Sequence, residues 1–145
     1  MNTKAGTHSS PGRRVLVIDD NPEMIKLIGL MLSKRCGDEV IGAVGGSEGI
    51  AAAQANLSLD LIILDMMMPD PDGFKTYPLI KSIPGLEQVP ILFTAAKPAG
   101  DVYPEAQRIG AAGYLIEPFS PDDLQRARDA ALRGETYYPP LSESG

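Results

Sequence analysis

Five short apolar runs, rich in β-branched residues and separated by helical patterns, restrict the fold of this chain more than any other feature. They fall at residues 15–18, 39–44, 61–64, 91–94 and 114–116, and Asp, Gly or Pro bounds them. Such runs read as buried strands. Between the first two, Asn21 is a good helix cap, Pro22 suits the first helical position and Glu23 the first turn. Met24, Ile25, Ile28, Met31 and Leu32 then form one apolar stripe, which stops at Gly37. Ser47 is expected to cap an Ala-rich helix reaching about Ala55. A helix over 73–82 is weakened by Pro78. A short one over 101–109 tolerates Pro104 only in its first turn. Ser120 caps the last helix, with Pro121, Asp122 and Asp123 at its positive end and Arg126, Arg128 and Arg133 further along, before Gly134 closes it. Strands alternating with helices give an open parallel sheet covered on both faces. Sheets of this kind place their sites at the carboxyl ends of the strands, beside a topological switch point.

Acids stand at two of those ends. The first strand runs into Asp19 and Asp20, and the third into Asp65. A single Asp after a strand is ordinarily a turn residue or a cap. Three carboxylates meeting at one sheet edge are a different matter, because like charges raise one another's pKa unless a cation neutralises them. Oxygen ligands of this type suit Mg²⁺ or Mn²⁺. A carboxylate held beside such an ion is also a nucleophile toward phosphorus.

Composition excludes several other classes. The chain of 145 residues is about one domain long and carries a net charge of −6, with no clustered basic face for direct nucleic-acid binding. Its one cysteine, Cys36, cannot form an internal disulfide, which fits a reducing cytoplasm. The one histidine, His8, lies in a polar stretch over residues 1–12 that reads as a disordered tail, so a histidine metal site is excluded. No secretory signal or membrane-spanning run is present, and the chain is expected in the cytoplasm without a membrane partner.

Four stretches resemble the receiver domains of bacterial two-component response regulators. They are VLVIDDNP at 15–22, DLIILDMMMPDPDG at 60–73, PILFTA at 90–95 and GAAGYLIEPF at 110–119. The resemblance runs over residues 13–134, leaving 135–145 as a C-terminal tail. It implies a CheY-like, flavodoxin-like doubly wound sheet of strand order 2-1-3-4-5. It further implies that Asp65 accepts a phosphoryl group from the phosphohistidine of a histidine kinase or phosphotransfer protein. Asp20, Asp65 and the Met67 carbonyl would ligate Mg²⁺, with Asp19 assisting through water. Thr94 would bind the phosphoryl oxygens, and Tyr114 would report the state of the pocket to an output face. Output would pass by protein contacts to a downstream partner, the chain not being an enzyme.

One residue departs from the pattern. Where the family has a lysine, this chain has Glu117. At about 5 Å and an effective dielectric of about 20, a unit charge pair is worth roughly 3 kcal/mol. A dianionic phosphoryl group on Asp65 would therefore be less stable, while metal binding would strengthen. Lys97 could supply the missing cation, Glu117 could turn outward, or phosphorylation could be lost, leaving a degenerate receiver that acts as an interaction module. Glu117-Pro118 is a cis candidate by the same resemblance. The stretch 97–104, with two prolines and a glycine, departs from the family's longer fourth helix and implies an altered output face. Two further classes fit less well. An aspartyl phosphatase would need a second Asp where Met67 stands, and a flavin carrier would need a glycine-rich phosphate loop where Asp19 and Asp20 stand.

Overall fold

The computed structural model describes residues 12–56, 58–96 and 102–140. The strands are β1 (Arg14–Asp19), β2 (Glu39–Val44), β3 (Leu61–Asp65), β4 (Ile91–Ala95) and β5 (Gly113–Ile116). Between and after them lie α1 (Pro22–Cys36), α2 (Gly46–Ala55), α3 (Gly73–Lys81), α4 (Val102–Arg108) and α5 (Pro121–Leu132). All pairings are parallel and the sheet order is β2-β1-β3-β4-β5, as the resemblance implied.

Both faces of the sheet are buried, which is why the strands lack polar alternation. Val15, Val17, Leu61, Ile63, Leu92 and Leu115 pack against Ile28 and Leu32 of α1 and Leu124, Ala127 and Ala131 of α5. The opposite side chains, Leu16, Ile18, Ile62, Leu64 and Phe93, meet Ala53, Tyr77, Ile80 and Ala106 from α2, α3 and α4. Chain order reverses between β1 and β3, so the switch point lies where Asp19 and Asp65 end their strands.

Local signals set most helix ends. The Asn21 side chain accepts the Glu23 N–H, Gly37 closes α1 at φ +73°, and Ser120 with Asp123 forms a reciprocal capping box. For α2 the expected Ser47 cap is incorrect. The helix begins at Gly46 after Gly45, whose φ of +95° gives the turn without a side-chain cap. Packing keeps the first helical residue small, because a Cβ at Gly46 would meet the Pro71 carbonyl oxygen and Thr76 Oγ1 at 2.6 Å each. Asp72 caps α3, and Pro78 is held inside that helix.

One further reading needs correction. Arg128 does not serve the dipole of α5: its side chain is fully buried and grips Asp38 with two hydrogen bonds, Nε to Oδ2 at 2.9 Å and Nη2 to Oδ1 at 2.6 Å. Residues 137–140, placed in the C-terminal tail, lie beside β5, with Tyr137 bridged in parallel to Gly113. Residues 1–11, including His8, are outside the described residues.

Candidate functional site

The convergence expected of the acids is present. One carboxylate oxygen from each of Asp19, Asp20 and Asp65 lies within 4.8 Å of the others. Asp19 and Asp65 are only 4 % and 7 % exposed, whereas Asp20 faces solvent. Parallel pairing produces this arrangement: Ile18 of β1 registers with Leu64 of β3, so the next residues, Asp19 and Asp65, leave the sheet together. Backbone amides hold both carboxylates in place. Asp19 Oδ1 accepts the Asn21 N–H at 2.9 Å, and Asp65 Oδ1 accepts the Met67 N–H at 3.0 Å.

Burial dominates the electrostatics. It pushes the Asp65 carboxyl up to about 7, against the Met67 N–H, with Asp19, Glu117 and Asp20 adding repulsion. Asp19 is also raised, again chiefly by burial. Among the described residues none of Asp19, Asp20, Asp65 or Glu117 takes part in an ion pair. An anionic cluster with no cation paired to it among the described residues is suited to a divalent cation with oxygen ligands.

Beside the acids stands a hydroxyl. Thr94 registers directly with Asp65 across β3 and β4, is 1 % exposed, and its Oγ1 makes no hydrogen bond among the described residues. Buried hydroxyls are nearly always satisfied, which makes this one an exception beside the acids. Met67 lies two residues beyond Asp65 with its side chain in solvent, so only its peptide faces the acids. Tyr114 is buried, and its hydroxyl reaches the Met66 sulfur at 3.9 Å.

Glu117 does not turn away. It is half-buried, and burial followed by repulsion from Asp19 and Asp20 raises its pKa. Its N–H donates to the Ala95 carbonyl at 2.8 Å, fixing the strand exit, and the following bond to Pro118 is cis. Lys97 lies outside the described residues.

Sequence reasoning missed two supporting residues. Gly73 allows α3 to approach the pocket floor, because a Cβ there would meet the Asp65 carbonyl oxygen and Met66 Cα at 2.7 Å. Its place at the end of the acidic loop was the available signal. Tyr103 of α4 packs edge-on against Tyr114, ring centres 5.2 Å apart, and nothing in its local sequence marks it.

Comparison with known proteins agrees with this geometry. The model of the response regulator receiver domain matches residues 15–129. Protein PilG of Pseudomonas aeruginosa is 32% identical over 115 residues, covering 79% of this chain and 84% of the relative. Chemotaxis protein CheY4 of Vibrio cholerae superposes with a TM-score of 0.77 at 28% identity, over 83% of this chain and 98% of that one. The receiver domain of a Pseudomonas aeruginosa sensor histidine kinase, which holds a magnesium ion in its active site cleft, gives 0.74 at 27% identity, over 84% and 98%. The chain spans about half the length of the transcriptional regulators it matches. Among the described residues no helix is long and apolar enough to cross a membrane. The family's domains carry signals between histidine kinases or phosphotransfer proteins and their targets and are generally not themselves enzymes. The matched motifs, the sheet order and the paired strand-end acids lead to one assignment: this chain belongs to the response regulator receiver domain family of two-component signalling.

Proposed function

We propose that Asp65 is the phosphoacceptor of this receiver, and that the signal passes onward through protein contacts rather than catalysis. The supporting observation is the Thr94 hydroxyl, without a partner among the described residues, held beside the Asp65 carboxylate at the carboxyl edge of the sheet. One Asp65 oxygen attacks the phosphorus of a donor phosphohistidine, and an O–P bond forms as the P–N bond breaks. The imidazole leaves with the electron pair and takes up a proton. The Met67 N–H on Oδ1 directs the other carboxylate oxygen toward the incoming group. Thr94 then donates its free hydroxyl to a phosphoryl oxygen.

Asp20, Asp65 and the Met67 carbonyl are the residues that would hold Mg²⁺, with Asp19 acting through water, and the three-acid cluster fits such an ion. When bound, the ion screens the charge of the phosphoryl group against the carboxylates. The receiver unit is read as residues 13–134, with a cytoplasmic place in the pathway.

Glu117 favours a second reading, a receiver that binds its partner without being phosphorylated, because it adds a negative charge where the phosphoryl group would sit. Intact mass after incubation with Mg²⁺ and acetyl phosphate, beside Asp65→Ala, separates the two. An adduct in the parent chain alone supports the phosphoacceptor. Its absence, with Mg²⁺ bound, supports the binding module.

A further inference from the structure

The outer edge of β5 closes the sheet on one side. An edge strand presents unpaired N–H and C=O groups that recruit other extended segments. Here the chain supplies its own. The Tyr114 N–H donates to the Tyr137 carbonyl at 2.9 Å, and the Tyr137 N–H donates to the Ala112 carbonyl at 2.9 Å. The Tyr138 hydroxyl donates to the Ala111 carbonyl at 2.9 Å, and the Tyr103 hydroxyl to the Pro139 carbonyl at 2.8 Å. Gly113 is needed for this approach, since a Cβ there would run into the Tyr137 carbonyl oxygen. Pro139 and Pro140 follow without N–H groups, so the added pairing is short and cannot template a further strand.

The segment also touches the side chains that lead back to the acids. Tyr103 packs edge-on against both Tyr138, ring centres 5.3 Å apart, and Tyr114, at 5.2 Å. Tyr114 in turn contacts Met66, the residue after Asp65. A change in the pocket that shifts Tyr114 must therefore disturb Tyr103 and, through its hydroxyl, Pro139.

We propose that residues 137–140 form an intramolecular strap that keeps the β5 edge covered as an interaction surface, and that loading of Asp65 releases it through Tyr114 and Tyr103. This rests on Asp65 being the phosphoryl site. Both α4 and β5 contribute to the covered face, so release exposes backbone groups of β5 together with the Tyr103 ring. An extended peptide segment is the chemistry such an edge accepts.

The test is residue-resolved amide hydrogen exchange on the full chain, with and without Mg²⁺ and beryllofluoride as the phosphoryl mimic. Binding of the mimic at Asp65 is measured separately by titration, with Asp65→Ala as control. Loading is expected to speed exchange of the Tyr114 and Tyr137 amides about tenfold, within the usual range of coupling between sites. Tyr103→Phe, which removes only the hydroxyl on Pro139, is expected to speed the same amides without the mimic and to tighten mimic binding. Gly113→Ala should do both more strongly. Mimic binding with unchanged protection at Tyr114 and Tyr137, or strap variants that bind the mimic with parental affinity, overturns the proposal. No binding of the mimic at all removes the Asp65 reading and the linkage with it, and the titration identifies that case.

Discussion

Asp65 and Thr94 stand opposite one another in the β3–β4 register, a carboxyl and a hydroxyl both withdrawn from solvent, and the hydroxyl has no partner among the described residues. A buried hydroxyl left unsatisfied costs about 1–3 kcal/mol, a cost that the proposed phosphoryl contact would offset. Thr94→Val keeps the shape and removes the orphan. The unphosphorylated protein is expected to gain roughly 1 kcal/mol in urea unfolding. Its yield of acetyl phosphate adduct is expected to fall about tenfold or more, since a hydrogen bond to a charged group is lost. Equal adduct yields in the two proteins would remove Thr94 from the phosphoryl site.

Glu117 adds to the negative charge around the aspartates. Replacing it with lysine exchanges a repulsion for an attraction toward a phosphoryl group, at roughly 3 kcal/mol per unit pair as an upper figure. Glu117→Lys is expected to weaken Mg²⁺ binding by calorimetric titration and to raise the adduct yield. If it leaves both unchanged, Glu117 does not face the site in solution.

The buried pair of Arg128 and Asp38 ties α5 to the turn before β2, and the Arg13 N–H also donates to Asp38 at 2.9 Å. Removing Asp38 takes two charged hydrogen bonds from the buried Arg128, which keeps Asp129 on Nη1 at 2.7 Å. Asp38→Ala is expected to lower unfolding stability by about 3 kcal/mol, the low end for a broken buried pair. The double change Arg128→Met with Asp38→Leu is expected to recover part of it, because an apolar pair needs no desolvation of charge, while the Arg13 N–H and Asp129 lose the partners they have here. Chemical denaturation of the three proteins checks this.

Tyr114 and Tyr138 are both pushed up to about 12, mainly by burial, from the ordinary 10.0. Their folded pKa values lie above the unfolded one, so the unfolded chain releases these protons first as pH rises. The associated stability is complete below pH 10 and is lost between pH 10 and about 12. Denaturant midpoints are expected to fall across that window, and ultraviolet titration should show these two phenols ionising last. Tyr138→Phe should flatten part of the fall.

The strands, the helix stripes and the strand-end acids were readable because each is a local signal. Val15 to Ile18 is buried on both sides whatever its neighbours, and Asn21, Gly37 and Ser120 end helices through groups within a few residues. Even the meeting of Asp19 with Asp65 follows from a parallel sheet once its order is known. Long-range packing settled the rest. Ser47 looks like a cap, but the positive φ of Gly45 starts the helix earlier, and Pro71 and Thr76 crowd the Gly46 that follows. Arg128 looks like an exposed basic residue, and its meeting with Asp38, ninety residues away in the chain, together with the adjacent Asp129, makes its burial tolerable. Tyr137 looks like a tail residue until the free edge of β5 gives its backbone a partner. The missing partner of Thr94 is of the same kind: a hydroxyl is read from its letter, but its lack of a hydrogen bond depends on every element around it.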